Sequence, residues 1–346
     1  MKSEEVLGLS PDDRTNPIVP SDLSVVICVY TLDRWTDILA AVSSVLTQQA
    51  GVREVILVVD HNPDLMQRVS AEFPALTVIA NSHHRGLSGA RDTGVAHSSG
   101  RVVAFLDDDA RAEPKWAVEL SAAYGDPKVV GAGGWIEPDW SVRRPPWWPS
   151  EFDWVVGCSY RGLPEEPSPV RNFIGANMSF RRARLLAAGG FRTDLGRVGT
   201  RPLGCEETEL CIRLTRARPD AVLLIDDRAV IHHRVPGPRE RFRYFRTRTY
   251  AEGLSKALVA RSVGADKGLE SERRYTTRVL PAGVARGLRD ALLTRPGGAG
   301  RAGAIVAGVL TAVGGYVVGS VRVRRGGATY AVAGIEGSPG AEGGTG

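Results

Sequence analysis

Three consecutive carboxylates, Asp107, Asp108 and Asp109, close the uncharged run VVAFL at residues 102–106. Adjacent anions repel unless a cation lies among them, and the simplest such cation is a divalent metal. Carboxylate oxygens suit magnesium or manganese, which keep several waters and take one or two acidic side chains together with substrate phosphates. The triplet is equally compatible with a helix N-cap followed by solvated acids, because Asp is favoured at helix starts. A second acidic pair, Glu206 and Glu207, stands ahead of Leu210, Cys211 and Leu214. Both carboxylates then fall in the first turn of a predicted helix, where acids complement the helix dipole. His232 and His233 end a β-type run, VLLIDDRAVIHHRV, and arginines alternate with aromatics just beyond, in YFRTRTYAEGLSK.

These groups need elements to position them. Residues 24–29 (SVVICV), 54–59 (EVILVV), 76–80, 102–106 and 129–133 read as strands. Helical spacing runs through residues 34–49, and helices are expected also from Asn62-Pro63 toward Phe73, over 87–96 after a tight entry at Gly86 and Gly89, and from Pro114 over 115–124. Strands alternating with helices of this length make right-handed βαβ units, so residues 1–135 read as half of a doubly wound α/β domain. In such sheets ligands bind outside the carboxyl ends of the strands, which is where the Asp triplet falls. The pattern changes over residues 135–172, which hold five of the seven tryptophans without a clean period. A long aromatic loop reads as a binding lid or as cover for a sheet edge, and aromatic faces such as Trp147 and Trp148 stack well on sugars and lipid chains. A strand is expected again over residues 171–182 (RNFIGANMSFRR), where Gly175 permits close backbone approach beside Asn177.

Charge is uneven along the 346 residues: residues 228–301 carry 17 of the 44 Lys/Arg but 6 of the 39 Asp/Glu. A basic C-terminal quarter on a near-neutral body points to an anionic partner, whether nucleic acid, membrane surface or phosphorylated substrate. Cys28, Cys158, Cys205 and Cys211 form no CxxC pair and no apolar leader follows the polar N-terminus, so reduced thiols in a cytoplasmic compartment are expected. Residues 302–321 are an uncharged run bounded by Arg301 and Arg322. Its length suits a membrane span, whereas its five glycines and basic flanks suit interfacial attachment or a soluble helix. Residues 1–22 read as a loose lead-in and 326–346 as a flexible tail.

Five ordered segments resemble a known family: SVVICVYTLDRW, VILVVDHN, RGLSGARDTGVAHSSGRVVAFLDDDA, FIGANMSFRR, and GCEETELCIRL followed by a histidine. Together they resemble the family 2 glycosyltransferases of GT-A fold, nearest to glucosyl-dolichyl-phosphate glucuronosyltransferase-like members, over about residues 24–250. The resemblance implies an α/β, Rossmann-like, mostly parallel sheet flanked by helices. A nucleotide-sugar half would span 23–135, an acceptor half 136–250, and a basic helical extension 251–301, followed by the 302–325 helix. It implies an inverting, metal-dependent transfer from a nucleotide-diphosphate sugar, UDP-sugar favoured, to a lipid-linked or cell-envelope glycan acceptor at the inner face of the plasma membrane. Carried onto this chain, Val29, Tyr30, Thr31, Asp60, Arg91, Asp107 and Asp108 take the donor side. Asp107, Asp109 and His233 hold Mn2+ or Mg2+, with His232 as the alternative to His233. Glu207, then Glu206, supplies the base where the family has Glu-Asp. Trp147, Trp148, Gly175 and Asn177 take the acceptor side.

The chemistry fits, because displacing a sugar from a diphosphate leaves an anion that a Lewis acid stabilises, and a neutral hydroxyl needs a carboxylate base on the opposite face. Two other classes compete. A basic adaptor would grip nucleic acid or anionic lipid through residues 234–301, although the acidic constellation argues against nucleic acid in the cleft. A nucleotidyltransferase also pairs acids with a metal, but the first strand here runs into CVYTLDRW rather than a Gly-rich loop.

Overall fold

The computed structural model describes residues 17–192, 206–263 and 274–324. Four strands, β1 (Leu23–Val29), β2 (Glu54–Val59), β3 (Thr77–Ala80) and β4 (Val102–Asp107), pair in parallel in the order β3-β2-β1-β4. Between them run α1 (Trp35–Leu46), α2 (Pro63–Glu72) and α3 (Leu87–His97). β1 and β4 are buried along nearly their whole length, as strands covered on both faces must be. α3 approaches the sheet closely because Gly94 faces Val26; a Cβ there would lie 2.4 Å from a Val26 methyl.

Beyond β4 the sheet becomes mixed. It continues through β5 (Ala110–Ala112), β6 (Val129–Trp140), β7 (Ser168–Pro169), β8 (Asn177–Arg181) and β9 (Val222–Val235), with α4 (Trp116–Ala122) after β5 and α5 (Arg182–Ala187) after β8. β8 lies antiparallel between β4 and β6, β6 and β9 pair in parallel, and β5 and β7 add antiparallel to β9. The sheet is therefore parallel in its first half and evenly mixed as a whole. Two expected boundaries move. The strand expected at 129–133 extends to Trp140 because β9 supplies partners as far as Trp140 with Val235, across a register shift at Gly134. The strand expected over 171–182 shrinks to Asn177–Arg181.

One core lies on each face of this sheet. α6 (Glu206–Ala217) packs on the face that buries Leu210, Cys211 and Leu214. A helical layer of α7 (Phe242–Val263), α8 (Leu280–Leu292) and α9 (Gly298–Arg324) covers the other end of the aromatic segment. Phe245 of α7 stacks into Trp147, Trp148 and Phe152 at centroid distances of 5.6, 5.3 and 5.2 Å. α9 lies along α7 through small residues: Cβ atoms at Gly315 and Gly253 would lie 2.1 Å from Tyr250 O and 2.0 Å from Ala312 O. Gly319 faces Ala257 in the same way.

Candidate active site

Asp107 is the last residue of β4, opposite Cys28 of β1, and Asp108 and Asp109 form the turn into β5. β5 folds back antiparallel on β9 with Ala110 opposite His233, which carries the imidazole to the turn. His233 Nε2 lies 3.1 Å from Asp109 Oδ1, and both side chains are nearly inaccessible. Asp107, Asp109 and His233 each offer one ligand atom, all within 4.8 Å of one another. Successive residues of a strand face opposite sides, so His232 points away and pairs with Glu113 at 3.0 Å. Two carboxylates and an imidazole with their donor atoms this close fit a small divalent cation, manganese more comfortably than calcium. The Nδ1 of His233 lies 3.8 Å from the buried thiol of Cys158, on the side of the ring away from Asp109.

Three arginines surround the triplet. Arg34 Nη1 lies 2.5 Å from Asp108 Oδ1 and 3.1 Å from Asp109 Oδ2, and Arg239 lies 3.8 Å from Asp109 Oδ2. The buried Oδ2 of Asp108 has no hydrogen-bond partner among the described residues. Burial, with Asp109 and Asp107 alongside, raises the Asp108 carboxyl despite Arg34. For Asp109 burial acts upward too, but the charge of and hydrogen bond from His233, then Arg34 and Arg239, hold it well below the ordinary carboxylate range.

Arg91, only 2% exposed, joins this cluster to the second acidic pair. Its Nη1 donates to Glu206 Oε1 at 3.0 Å, its Nη2 donates to Gly175 O at 3.1 Å, and Nη2 lies 3.6 Å from Asp107 Oδ1. The guanidinium also sits over Phe105 and Phe191, with ring centroids 5.9 and 5.5 Å away. Glu206 is buried and ion-paired, whereas Glu207 is partly buried and makes no ion pair among the described residues. Burial, then the neighbouring Glu206 charge, pushes the Glu207 carboxyl up to about 8. A carboxyl so raised ionises only as pH rises above neutral, and its anion is then a stronger base than an ordinary carboxylate.

The remaining expected residues fall in different places. Val29 is buried at the end of β1, Tyr30 is exposed beneath the Arg34 guanidinium at 5.2 Å, and Thr31 Oγ1 accepts from Asp33 N at 3.3 Å. Asp60 follows β2 and ties it to the 81–86 loop, accepting from Asn81 Nδ2 at 2.7 Å and from Gly86 N at 3.0 Å. Gly175 keeps close contact with Arg91: a Cβ there would lie 2.9 Å from Nη2. Three residues expected on the acceptor side are packed into the protein. Trp148 is 1% exposed within the aromatic cluster, and Trp147 is half-buried against Phe242 at 5.4 Å. Asn177 is 1% exposed, and its amide is used up by Trp116 Nε1 at 2.9 Å, Trp135 O at 3.2 Å and Ala229 O at 2.9 Å. For the tryptophans the cause is the helical layer, which turns the aromatic segment from a surface loop into packed filling, and for Asn177 it is its place between sheet strands. Cys205 lies outside the described residues, and burial raises the thiols of Cys28, Cys158 and Cys211, which makes them inert. The sequence reading gave no role to Arg34, Arg239 or Cys158. Arg34 stands inside the quoted segment YTLDRW, but neither of the others lies near the acids in sequence.

Comparison with known proteins places the fold and the family. The fold is that of GT-A glycosyltransferases: a mannosyltransferase from Pyrobaculum calidifontis in complex with GDP-Man and Mn2+ superposes with a TM-score of 0.55 at 17% identity, over 88% of this chain and 89% of that one. The profile described as Glycosyl transferase family 2 matches residues 24–186. The glucosyl-dolichyl phosphate glucuronosyltransferase of Haloferax volcanii is 36% identical over 241 residues, 68% of this chain and 77% of that protein. A UDP-Glc:α-D-GlcNAc-diphosphoundecaprenol β-1,3-glucosyltransferase of Escherichia coli is 35% identical over 72 residues, 20% of this chain and 28% of that one. The chain belongs to glycosyl transferase family 2, and it is a glycosyltransferase.

Proposed function

We propose that the protein is an inverting glycosyltransferase that moves a sugar from a nucleotide-diphosphate donor, a UDP-sugar by preference, to a hydroxyl of a polyprenyl-linked glycan. The observation that carries this reading is the continuous line from the Asp107–Asp109–His233 group through Arg91 to Glu206 and Glu207. Asp107, Asp109 and His233 are the residues that would hold Mn2+ or Mg2+, whose positive charge supports departure of the diphosphate. Tyr30, Thr31 and Asp60 lie at the ends of β1 and β2, the side on which the donor's base would sit. Arg91 fixes Glu206, and Glu207 is left to take the acceptor's proton. The lipid-linked acceptor is supported by the names of the Haloferax and Escherichia relatives.

Attachment to a membrane surface is supported by α9. Its residues Gly298–Arg322 are long and apolar enough to cross a bilayer. Val306, Leu310, Val313, Val317 and Val321 form an exposed stripe opposite the glycines that face α7. A crossing helix would draw the adjoining α7 into hydrocarbon together with Arg243, Arg246 and Lys256, which is costly. An in-plane helix avoids that, with its valine stripe in the interface and the basic residues of 228–301 toward anionic headgroups.

The test is incubation with a panel of UDP- and GDP-sugars, Mn2+ and a polyprenyl phosphate sugar, with mass spectrometry of the lipid. A lipid gaining one hexose or hexuronic acid, with release of the nucleoside diphosphate, is expected. Full turnover by both Asp109→Ala and Glu207→Gln would sink the assignment. Binding to anionic vesicles is expected to fall in Leu310→Glu/Val313→Glu. Unchanged binding would remove the in-plane helix from the reading.

A further inference from the structure

Asp108 lies between the two carboxylates assigned to the metal, and neither donor nor base chemistry accounts for its contact with Arg34. One guanidinium nitrogen serves two members of the triplet: Arg34 Nη1 is 2.5 Å from Asp108 Oδ1 and 3.1 Å from Asp109 Oδ2. Asp109 is also the carboxylate that faces His233. Arg34 therefore places a positive charge on an atom group that a divalent cation would use. Its tether is short and local, the 3₁₀ turn Leu32–Arg34 directly after β1. The Arg34 side chain keeps 20% exposure, and its guanidinium rests over the exposed ring of Tyr30 at 5.2 Å. Arg91 differs in each respect, being 2% exposed and held by Glu206 and Gly175. Arg239, 15% exposed, stands 3.8 Å from Asp109 Oδ2, so of the two cations with room to leave Arg34 is the one in direct contact with the triplet.

We propose that Arg34 is a displaceable counter-ion of the Asp triplet: in the free enzyme it neutralises Asp108 and Asp109, and the diphosphate of an incoming donor draws it away. A guanidinium fork matches phosphate as well as carboxylate, so the exchange conserves its pairing. While Arg34 stays, it repels a second cation at Asp109. Once it moves to the diphosphate, the repulsion at Asp109 falls and the same arginine helps hold the donor. Metal and nucleotide binding are then linked with positive sign, each strengthening the other by the same factor. This inference rests on reading Asp107, Asp109 and His233 as the metal group and gives that group a binding order.

The experiment is a Mn2+ titration of the full chain, following the electron paramagnetic resonance of the free ion, with and without UDP. Without nucleotide, Arg34→Ala is expected to bind Mn2+ about ten-fold tighter than wild type, the effect of removing one unit charge a few ångströms away in a partly solvated site. The tightening of Mn2+ by UDP is expected to shrink in that variant by a similar factor. The sign separates this role from bracing, because loss of a residue that merely holds the turn would weaken Mn2+ binding. Arg34→Ala strands the buried Asp108 carboxylate, so Arg34→Gln, which keeps a donor without the charge, provides a second variant with the same expected tightening. Arg34→Lys restores the charge and is expected to return the affinity to that of wild type. Equal or weaker Mn2+ binding in both neutral variants overturns the inference while leaving the metal group intact. If no form of the protein takes up Mn2+ even with UDP, the metal assignment fails and the inference falls with it.

Discussion

Replacing Glu206 and Glu207 one at a time by the isosteric amide separates two carboxylates that sit side by side at the start of α6. Glu207 is held near 8 by burial first and by the Glu206 charge second. A carboxylate base works only when ionised, so activity is expected to rise with pH through that value in the wild type. Glu207→Gln removes the acceptor of the proton, and kcat is expected to fall by about 10²- to 10⁴-fold, with no limb of that origin left in the profile. Glu206→Gln removes the second cause of the raised value and frees Arg91, 3.0 Å from Glu206 Oε1, to act on Glu207. Two charges about 6–8 Å apart at an effective dielectric of about 20–40 interact by about 1–3 kcal/mol. That corresponds to about one to two pKa units, so the limb moves to lower pH while most of the catalysis survives. Initial rates across about pH 5.5 to 9.5 with saturating donor and Mn2+ read both effects, and near-UV circular dichroism checks the fold. A Glu207→Gln profile that keeps its limb, or a Glu206→Gln limb that stays in place, would refute the division of labour between the two residues.

Four further outcomes follow from contacts in the structure. His233→Ala is expected to weaken Mn2+ binding at least about 100-fold by calorimetry, since even outer partners of metal ligands are worth 10- to 100-fold. Asn177→Ala leaves Trp116 Nε1, Trp135 O and Ala229 O without their partner and is expected to cost about 3 kcal/mol in urea denaturation, with acceptor KM unchanged in the surviving fold. A rise in KM without loss of stability would instead return Asn177 to the acceptor side. Gly134→Ala brings a Cβ to 1.9 Å from Ala229 O at the register shift between β6 and β9, and about 2 kcal/mol or more is expected to be lost. Gly315→Val pushes α9 off Tyr250 O of α7, which a lowered Tm and faster proteolysis at α9 would report.

What the sequence by itself determined is the part of the molecule in which function and local pattern coincide. The run VVAFL followed by Asp107 specifies a buried parallel strand with an acid at its carboxyl end, and period-3.6 spacing specifies α1 and α6. Alternation along β9 even separates His233 from His232, once the strand is granted. Tertiary structure alone decided the rest. β6 runs on to Trp140 only because β9 is there to pair with it, which no property of the aromatic segment announces. Trp148 is a core residue because a helical layer more than sixty residues downstream closes over it, and Asn177 is one because it lies between sheet strands where three distant groups exhaust its amide. The Asp triplet carries no mark of Arg34, 74 residues away in the chain, or of the imidazole that holds Asp109 ionised. Short-range pattern is written in the chain because each residue's own backbone and side chain enforce it. Charge compensation and burial are set by whichever residues the fold brings within a few ångströms, and only the assembled structure contains that information.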